Sequence, residues 1–558
     1  MCSICGGNYP LAEIKRASGT MIHRGPDFSG DYEDSYIALA HNRLKILDLK
    51  TASNQPFTSP FCPHLVLVFN GEIYNYLEIK EELKKQGIPF VTQSDTEVLL
   101  HSFAHLGERC LQKFNGDFAF VIYDKRDKSL FLARDRLGNK PLFYALEKDK
   151  ILFASEIKAF LKLKDYPLNL EEVSKWLLFG NGDLNKSIYE GIYSFPAAHY
   201  GIFKEGKLQI KKYWNLEIKP AKYALSESLE ELQSLLLNAL KIRLRADVPL
   251  ALLVSGGIDS SLLAHLAVKL GGDVRLFGVS FKGLEGDESR FIRQLQRDLN
   301  QEISLITPDI EEIKRDFKAL VYTQDEIFRS FSLYPQFLLF RVIADSCKVA
   351  LGGQGADELF GGYYHHIGRF LYHSPKEFEN RIRIYGNEAF REYNFGLKCA
   401  LRDTLKMKLF REDNKQNIKK LQRLDLPIPP LETLLERFLP DFNQGLLADT
   451  FVFNLPHLLR YEDRNAMAHS VENRTPFTDF RVVEFAFSLQ DSLKFQKGFS
   501  KYLLRLLLES LGSKSLAWRK DKIGFGVPEK KFMDILGFAY QSLFDVRVAI
   551  FEALRSGR

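Results

Sequence analysis

Two glycine-rich segments in the second half of the chain carry residues that suit an oxyanion site. The first, residues 255–261 (SGGIDSS), follows an apolar run and precedes a helical pattern. Glycines permit a tight turn and leave main-chain N–H groups accessible, and the helix N-terminus adds a partial positive charge. No Gly-Lys-Ser/Thr sequence follows, so the segment is not a Walker A loop. It predicts a loop that binds an oxyanion such as pyrophosphate.

The second segment, residues 352–363 (GGQGADELFGGY), also follows an apolar run. Its Asp357 and the Asp259 of the first segment are carboxylates flanked by glycines. Mg²⁺ in nucleotide sites commonly binds one or two carboxylates together with phosphates. The second segment alone would be an ordinary glycine loop with solvated acids, but paired with the first it predicts a Mg²⁺ site held by Asp259 and Asp357.

A possible nucleophile lies at the other end of the chain, where Cys2 follows the initiator Met. Removal of that Met would put a thiol and a free α-amine on one residue. An amine with a pKa of about 7.7–8.0 can act as a local general base. By itself Cys2 is an ordinary second residue. With Cys5 it forms a CxxC, but no further Cys/His cluster supplies the ligands of a zinc site.

Other residues of the first half would complete a site for a free α-amino acid. The side chain of Asn70 and the N–H of Gly71 suit an oxyanion hole, and Arg43 suits a bidentate carboxylate contact. Glu72 and Asp95 suit an ammonium group. Each residue alone is better read as a turn or a solvated surface group. Together they would hold an amino acid whose side-chain carbonyl Cys2 attacks.

The elements that must position these residues change in character near residue 215. Before it, short β-branched and aromatic runs broken by Gly, Asn and Asp predict antiparallel strands. After it, a helix with Leu229, Leu232, Leu236 and Leu240 on one face leads into alternating strands and helices. The order predicts an α+β domain followed by an α/β domain with a helical extension. The strands predicted first lie at 65–69, 118–123, 130–133, 142–144 and 151–153, with helices at 77–86 and 96–106. Those predicted next lie at 249–254, 274–281 and 303–306, with a helix at 288–299.

Composition excludes several classes of protein. The 558 residues are 45% hydrophobic, with 77 Lys and Arg against 71 Asp and Glu, for a net charge of +6. This is ordinary globular composition. There is no basic block for nucleic acid, no apolar stretch near the roughly 18 residues of a membrane span, and no secretory signal pattern. Six cysteines make no disulfide framework. We expect a cytoplasmic protein that binds neither nucleic acid nor membrane.

These motifs, in this order, resemble the glutamine-dependent asparagine synthetases over nearly the whole chain. The first half resembles a class II glutamine amidotransferase domain of the N-terminal-nucleophile type, an αββα sandwich. Its marks are Cys2, residues 23–27 (HRGPD), Arg43, residues 70–72 (NGE), Ser94 with Asp95, and residues 134–138 (RDRLG). The second half resembles a PP-loop ATP pyrophosphatase. Its marks are the two glycine-rich segments, Arg464, residues 469–477 (HSVENRTPF), Lys501 and residues 522–526 (KIGFG).

The resemblance implies domains at 2–215 and 227–530, a linker at 216–226 and a C-terminal tail at 531–558. It implies that Cys2 attacks glutamine, that Asn70 and Gly71 hold the oxyanion, and that ammonia passes through the protein. The glutamine-binding residues would be Arg43, Ile46, Leu47, Asn70, Gly71, Glu72 and Asp95. The ATP-binding residues would be Leu253, Val254, Ser255, Gly256, Gly257, Asp259, Ser260, Val279, Gly352 and Gly353. Lys501 would neutralise charge on the α-phosphate.

The implied reaction converts aspartate to asparagine through a β-aspartyl adenylate, with ATP and Mg²⁺. Relatives often form dimers, so a homodimer is the assembly that the resemblance suggests. The acceptor segment departs from the family at Gln354, where asparagine synthetases carry Glu. Glutamine cannot take or relay a proton as a carboxylate does. The same chemistry on another carboxylate, such as a surface-polysaccharide uronic acid, is therefore the alternative.

Overall fold

Alternating side chains in the first strand define the layers of the amino-terminal half. The computed structural model describes residues 2–219, 221–280, 287–430, 432, 435, 438–520 and 527–556. In it, all six residues of strand β1 (Cys2–Gly7) are buried. Ile4 packs between two sheets, whereas Cys5 packs against helices on the outer face. Because successive strand side chains point to opposite faces, β1 lies inside a layered stack.

The other strands of this half complete two facing antiparallel sheets. They are β2 (Phe28–Glu33), β3 (Ala38–Arg43), β4 (Leu65–Ile73), β5 (Gly116–Asp124), β6 (Ser129–Arg134), β7 (Phe143–Glu147), β8 (Lys150–Ala154), β9 (Tyr193–Ser194), β10 (His199–Lys204) and β11 (Lys207–Lys212). Within the described residues, one sheet has the order β2-β3-β1-β8-β7-β9 and the other the order β11-β10-β6-β5-β4. Their facing surfaces share a core that includes Val68, Val121 and Leu132.

Helices cover the outer face of each sheet. They are α1 (Leu11–Gly19), α2 (Tyr76–Lys85), α3 (Asp95–Leu106), α4 (Cys110–Lys113), α5 (Lys158–Leu161) and α6 (Leu170–Phe179). Helices α2 and α3 pack on the β4 side, and α1 packs on β1 and β3. The αββα arrangement of an N-terminal-nucleophile domain is confirmed.

The second half is built on a parallel sheet whose strand order reverses at its centre. Its strands are β12 (Leu250–Leu253), β13 (Val274–Val279), β14 (Ile303–Ile306), β15 (Val349–Leu351) and β16 (Glu472–Arg474). Their order is β14-β13-β12-β15-β16, and every neighbouring pair is parallel. Ligands of such sheets bind beyond the carboxyl ends of the strands, at the point of reversal. Here that point lies between β12 and β15, so the predicted α/β domain is confirmed.

Helices surround this sheet and extend beyond it, and a short ribbon of β17 (Phe495–Gln496) and β18 (Phe499–Ser500) precedes Lys501. The helices are α7 (Leu225–Arg243), α8 (Ile258–Lys269), α9 (Ser289–Leu299), α10 (Ile313–Gln324), α11 (Tyr334–Ile343), α12 (Ala356–Phe360), α13 (Tyr364–Tyr372), α14 (Pro375–Tyr385), α15 (Asn387–Ala400), α16 (Asp403–Asp413), α17 (Lys415–Arg423), α18 (Phe442–Ala448), α19 (Leu455–Met467), α20 (Phe480–Ser488), α21 (Asp491–Lys494), α22 (Tyr502–Ser510), α23 (Lys514–Ala517), α24 (Glu529–Leu536) and α25 (Leu543–Ser556). Among the described helices, none has both the length and the apolar character that crossing a membrane requires.

The sequence pattern predicted which segments form strands and helices more accurately than it predicted where those strands and helices end. Leu232, Leu236 and Leu240 of α7 are fully buried, as the helical face predicts. The strand predicted at 65–69 continues as β4 to Ile73, because β5 supplies hydrogen-bonding partners along that whole length. Asn70 and Gly71 are therefore strand residues, not a turn after a strand. Strand β13 ends at Val279, before Ser280 of the segment predicted at 274–281. Residue 281 and the motif at 522–526 lie outside the described residues.

The domain boundaries stay a prediction, but the structure qualifies two of the segments between them. Helix α7 begins at Leu225, inside the linker predicted at 216–226. The predicted tail, residues 531–558, contains most of α24 and all of α25. Phe544 and Ile550 of α25 are buried in a core shared with both halves of the chain. The apolar face of α25 thus makes it part of the packed protein.

A buried network of opposite charges joins the two halves. Arg24 donates to Glu156 Oε1 at 2.8 Å and to both Asp463 oxygens, at 2.9 and 3.1 Å. Arg464 Nη1 lies 2.7 Å from Glu156, and Lys158 Nζ lies 2.9 Å from Asp325. Glu156 and Lys158 also pair with each other. None of these side chains is more than 5% exposed.

Replacing Asp463 by Asn will destabilise the protein, because it leaves Arg24 short of a compensating charge in a buried site. Breaking a buried pair by removing one partner costs about 3–5 kcal/mol. Glu81→Gln is the matched control, since the Glu81–Lys84 pair is exposed and such pairs contribute about 0–1 kcal/mol. Urea unfolding of the two variants measures the difference. Equal midpoints would contradict a structural role for the network.

Candidate active sites

Cys2 lies at the start of β1, held by residues from three other elements. Its register partner in β3 is Arg43. The Cys2 amide donates to Asn70 Oδ1 at 3.1 Å, and Arg24 Nε donates to the Cys2 carbonyl at 3.1 Å. Burial raises the pKa of the Cys2 thiol, and the Leu44 amide and Arg43 only partly oppose the rise. The side chain is therefore a thiol at neutral pH and needs a base to become a nucleophile.

Asn70 keeps a spare hydrogen-bond donor beside Cys2. Its Oδ1 accepts from the Cys2 amide, while its buried Nδ2 has no partner among the described residues. The next residue, Gly71, has φ of +147°, and a Cβ there would lie 2.1 Å from the Asp117 carbonyl oxygen. Only glycine fits that backbone. An unpaired buried donor is costly, which suits an oxyanion hole that is completed when substrate reacts.

Glu72 and Asp95 form a buried pair of carboxyl groups in the same region. Asp95 Oδ2 accepts from the Ile73 amide at 2.9 Å, which places it next to the end of β4. Burial, together with the neighbouring Asp95, raises the pKa of Glu72 well above its usual value. Burial also raises the pKa of Asp95, although the Ile73 amide opposes this. A cation bound between them would favour their charged forms, so the pair suits an ammonium group.

Arg43, Ile46 and Leu47 form a segment whose polar groups already have partners. Arg43 donates from Nη1 to the Lys50 carbonyl and Asn54 Oδ1, and from Nη2 to the Leu47 and Asp48 carbonyls. The Ile46 carbonyl accepts from the Asp247 amide at 2.9 Å. Arg43 thus organises the loop after β3. Binding of a carboxylate by its terminal nitrogens requires exchange of some of these bonds.

The first glycine-rich segment is the predicted strand–turn–helix. Gly256 has φ of +69°, and a Cβ there would lie 2.6 Å from the Cβ of Phe291, so glycine is required. The Ser255 amide donates to Ser260 Oγ at 3.1 Å, which closes the turn at the start of α8. The segment presents backbone groups at the N-terminus of a twelve-residue helix, the arrangement that binds phosphate. The remaining positions predicted to bind ATP here are Leu253, Val254, Gly257 and Val279, at or just beyond the carboxyl ends of β12 and β13.

The second segment lies against the first across the reversal point of the sheet. A Cβ on Gly353 would lie 3.4 Å from the Asp259 Cβ, so the loops are in contact. Gly352 begins the turn after β15, and Gln354 is half-buried just before α12.

Lys501 joins the two acids that were predicted to bind Mg²⁺. Its Nζ lies 2.6 Å from Asp259 Oδ2 and 2.6 Å from Asp357 Oδ1. Burial alone would lower the pKa of Lys501, but Asp259 and Asp357 raise it, so the ammonium is charged. Asp259 Oδ1 is buried and accepts no hydrogen bond from the described residues. A spare carboxylate oxygen beside a second carboxylate fits the oxygen ligands that Mg²⁺ prefers.

The sequence interpretation missed the role of strand β16. Arg474 Nη2 lies 3.6 Å from Glu72, and Glu472 is near enough to Cys2 to raise the pKa of its thiol further, after burial. The Arg474 carbonyl accepts from the Gly352 amide at 2.9 Å. The available signal in the sequence was the pair of charged residues, Glu472 and Arg474, within residues 471–477, a segment that the sequence analysis treats only as a mark of the family.

The Asparagine synthase family model matches residues 231–555, more than half of the chain. This chain belongs to the asparagine synthase family. A second model, the Glutamine amidotransferase domain, matches residues 1–214. The enzyme is therefore a glutamine-dependent amidating ligase, and membership of this family implies ATP as a substrate.

Relatives of this family member cover most of its length. It is 29% identical to asparagine synthetase [glutamine-hydrolyzing] 1 of Bacillus subtilis, over 96% of this chain and 88% of that protein. It is 31% identical to a putative asparagine synthetase of Methanocaldococcus jannaschii, over 67% of this chain and 77% of that protein. It is also 29% identical to the amidase chry2 of Gibberella zeae, over 87% and 79%.

Asn70→Ala will lower the kcat of glutamine hydrolysis by about 10²–10³, the cost of removing one oxyanion-hole donor. The control is Asn75→Ala, because the Asn75 side chain binds the Lys113 carbonyl and the Asn115 amide rather than Cys2. Steady-state glutamate release measures both variants. A wild-type kcat in Asn70→Ala would show that its spare donor has no part in the reaction.

Proposed function

We propose that this enzyme converts aspartate to asparagine, with glutamine as nitrogen donor and AMP, pyrophosphate and glutamate as co-products. The observation that carries the proposal is the position of Arg474. Its guanidinium faces Glu72 beside the cysteine site, and its carbonyl binds the Gly352 amide of the other site. One residue of β16 thus contacts both centres, as expected where a product of the first is the substrate of the second.

In the first half-reaction, the Cys2 sulfur attacks the side-chain carbonyl of glutamine. The α-amine of processed Cys2 takes the thiol proton, since burial keeps the thiol from ionising by itself. Asn70 Nδ2 and the Gly71 N–H donate to the oxyanion. Glu72 and Asp95 hold the substrate ammonium, and Arg43 and the backbone at Ile46 and Leu47 hold its carboxylate end. The α-ammonium of Cys2 gives the thiol proton to the leaving nitrogen, ammonia departs as the C–N bond breaks, and water hydrolyses the glutamyl thioester.

In the second half-reaction, an oxygen of the acceptor carboxylate attacks the α-phosphorus of ATP and pyrophosphate departs. The residues that hold ATP are Leu253, Val254, Ser255, Gly256, Gly257, Asp259, Ser260, Val279, Gly352 and Gly353. Asp259 and Asp357 would hold Mg²⁺, which neutralises phosphate charge when bound. Lys501 then contacts the α-phosphate, and its attraction to the two acids keeps it in reach. Adenylation gives the carboxylate a leaving group.

The alternative acceptor is a different carboxylate, and Gln354 is the observation that favours it. The asparagine synthetases that the chain resembles carry Glu at this position, and an amide cannot replace a carboxylate in proton transfer. The relative from Gibberella zeae is named an amidase. Proteins similar to this chain therefore carry names other than asparagine synthetase. A uronic acid of a surface polysaccharide is one such acceptor.

ATP–pyrophosphate exchange distinguishes the two acceptors, because it reports adenylation without the later steps. With purified enzyme and Mg²⁺, we expect exchange that depends on added aspartate. Cys2→Ala is the matched variant: it should keep this exchange and lose glutamine hydrolysis. Intact hydrolysis without aspartate-dependent exchange would contradict aspartate as acceptor and favour another carboxylate.

A further inference from the structure

Attack of ammonia on an acyl adenylate releases a proton, and Gln354 cannot accept it. The nitrogen that forms the new C–N bond begins as NH₃ and ends as an amide NH₂. The proton must therefore pass to a base near the carbonyl carbon. In this chain Gln354, in the turn before α12, offers only an amide. A carboxylate from elsewhere in the chain can fill that place.

Glu462, on helix α19, packs against the loop that carries Gln354. The Glu462 side chain is buried, with 1% of the residue exposed. A Cβ built on Gly352 would lie 2.8 Å from Glu462 Oε1, so the carboxyl group touches the backbone two residues before Gln354. Oε1 accepts from Gln336 Nε2 at 2.8 Å. Oε2 is also buried and has no partner in the part of the chain that the structure describes.

The surroundings of Glu462 lie between the two sites. Asn473 of β16 faces the same carboxyl group, and Lys140 of the amino-terminal half donates to the Asn473 carbonyl at 3.1 Å. Asn473 lies between Glu472 and Arg474 in β16. Glu472 is near Cys2, and the Arg474 carbonyl accepts from the Gly352 amide. Ammonia that moves from Cys2 to the acyl adenylate at the Gly352 loop enters this region. The other charged neighbours on α19, Asp463 and Arg464, are engaged by Arg24 and Glu156.

The carboxyl group of Glu462 is a weaker acid than an ordinary glutamate. Burial raises its pKa to about 8, while hydrogen bonds from Asn473 and Gln336 and the charge of Lys140 oppose the rise. A group with a pKa near the working pH is well suited to take up and release a proton. Three groups face the Glu462 carboxyl. Lys140, from the other half of the chain, is charged, whereas Gln336 of α11 and Asn473 of β16 are neutral.

We propose that the Glu462 carboxylate accepts the proton that ammonia loses as the amide forms, in place of the carboxylate absent at position 354. The nitrogen lone pair forms the C–N bond, the C–O bond to AMP breaks with its electron pair leaving on AMP, and the proton passes from nitrogen to Glu462. This inference rests on the proposed adenylating function. It concerns only the step after adenylation.

Glu462→Gln tests the inference because glutamine keeps the size of the side chain and the bond from Gln336 but cannot accept the proton. We expect glutamine hydrolysis and acceptor-dependent ATP–pyrophosphate exchange within about two-fold of wild type. The amount of amide formed per glutamate released should fall by about 10²-fold, the lower range for loss of a general base. Glu529→Gln is the control, since burial likewise raises the pKa of Glu529, to about 7, but its carboxyl binds the Phe331 amide. Wild-type coupling in Glu462→Gln would overturn the inference.

The pH dependence of wild-type coupling gives a second test that needs no variant. Only ionised Glu462 accepts a proton, so amide per glutamate should rise with pH and level off above about 8. A ratio that is constant from pH 6.5 to 9 would overturn the inference even if Glu462→Gln did not fold. Failure of the proposed function is distinguishable, because it would abolish aspartate-dependent exchange in the wild type.

Discussion

The guanidinium of Arg24 is the contact on which the geometry of both sites depends. Its Nε holds the carbonyl of Cys2, and its terminal nitrogens hold Asp463 of α19 and Glu156. Glu462, the neighbour of Asp463, lies against the Gly352 loop. A single planar group therefore fixes the cysteine of one half relative to a helix that lines the other site. The proposed passage of ammonia from Cys2 to the second centre relies on that contact.

The charged network around Arg24 fixes the relative position of the two halves more than it stabilises the fold. Desolvation of buried charges offsets most of their mutual attraction, whereas loss of one partner costs several kcal/mol. Arg24, Lys158 and Arg464 are matched by Glu156, Asp325 and Asp463. Because each side chain has partners in set directions, the two halves can join in few ways. The same reasoning explains Lys501, whose two carboxylate partners hold it where ATP is proposed to bind.

Much of the fold could be predicted from the sequence, because the patterns that indicate a turn or a helix lie within a few consecutive residues. The glycine turn after β12 needs only its own residues to predict strand, loop and helix, and the leucine face of α7 needs only helical spacing. Strand length was less accessible: β4 continues through Asn70 and Gly71 because β5, more than 40 residues away, pairs with it. The parts of the site on β16 and α19 were missed for the same reason. Glu462 and Arg474 gain their roles from contacts with Gly352 and Glu72, and no periodic pattern connects residues so far apart in sequence.

Transfer of nitrogen inside the protein, from glutamine to an ATP-activated carboxylate, is the step that couples the two proposed sites. The most direct test supplies glutamine labelled with ¹⁵N at its side-chain amide, together with ATP, Mg²⁺ and aspartate, in the presence of excess unlabelled ammonium. The account predicts asparagine labelled at the amide nitrogen, formed in equal amount with AMP and pyrophosphate. Label found only as free ammonium, or ATP cleaved to ADP, would contradict it.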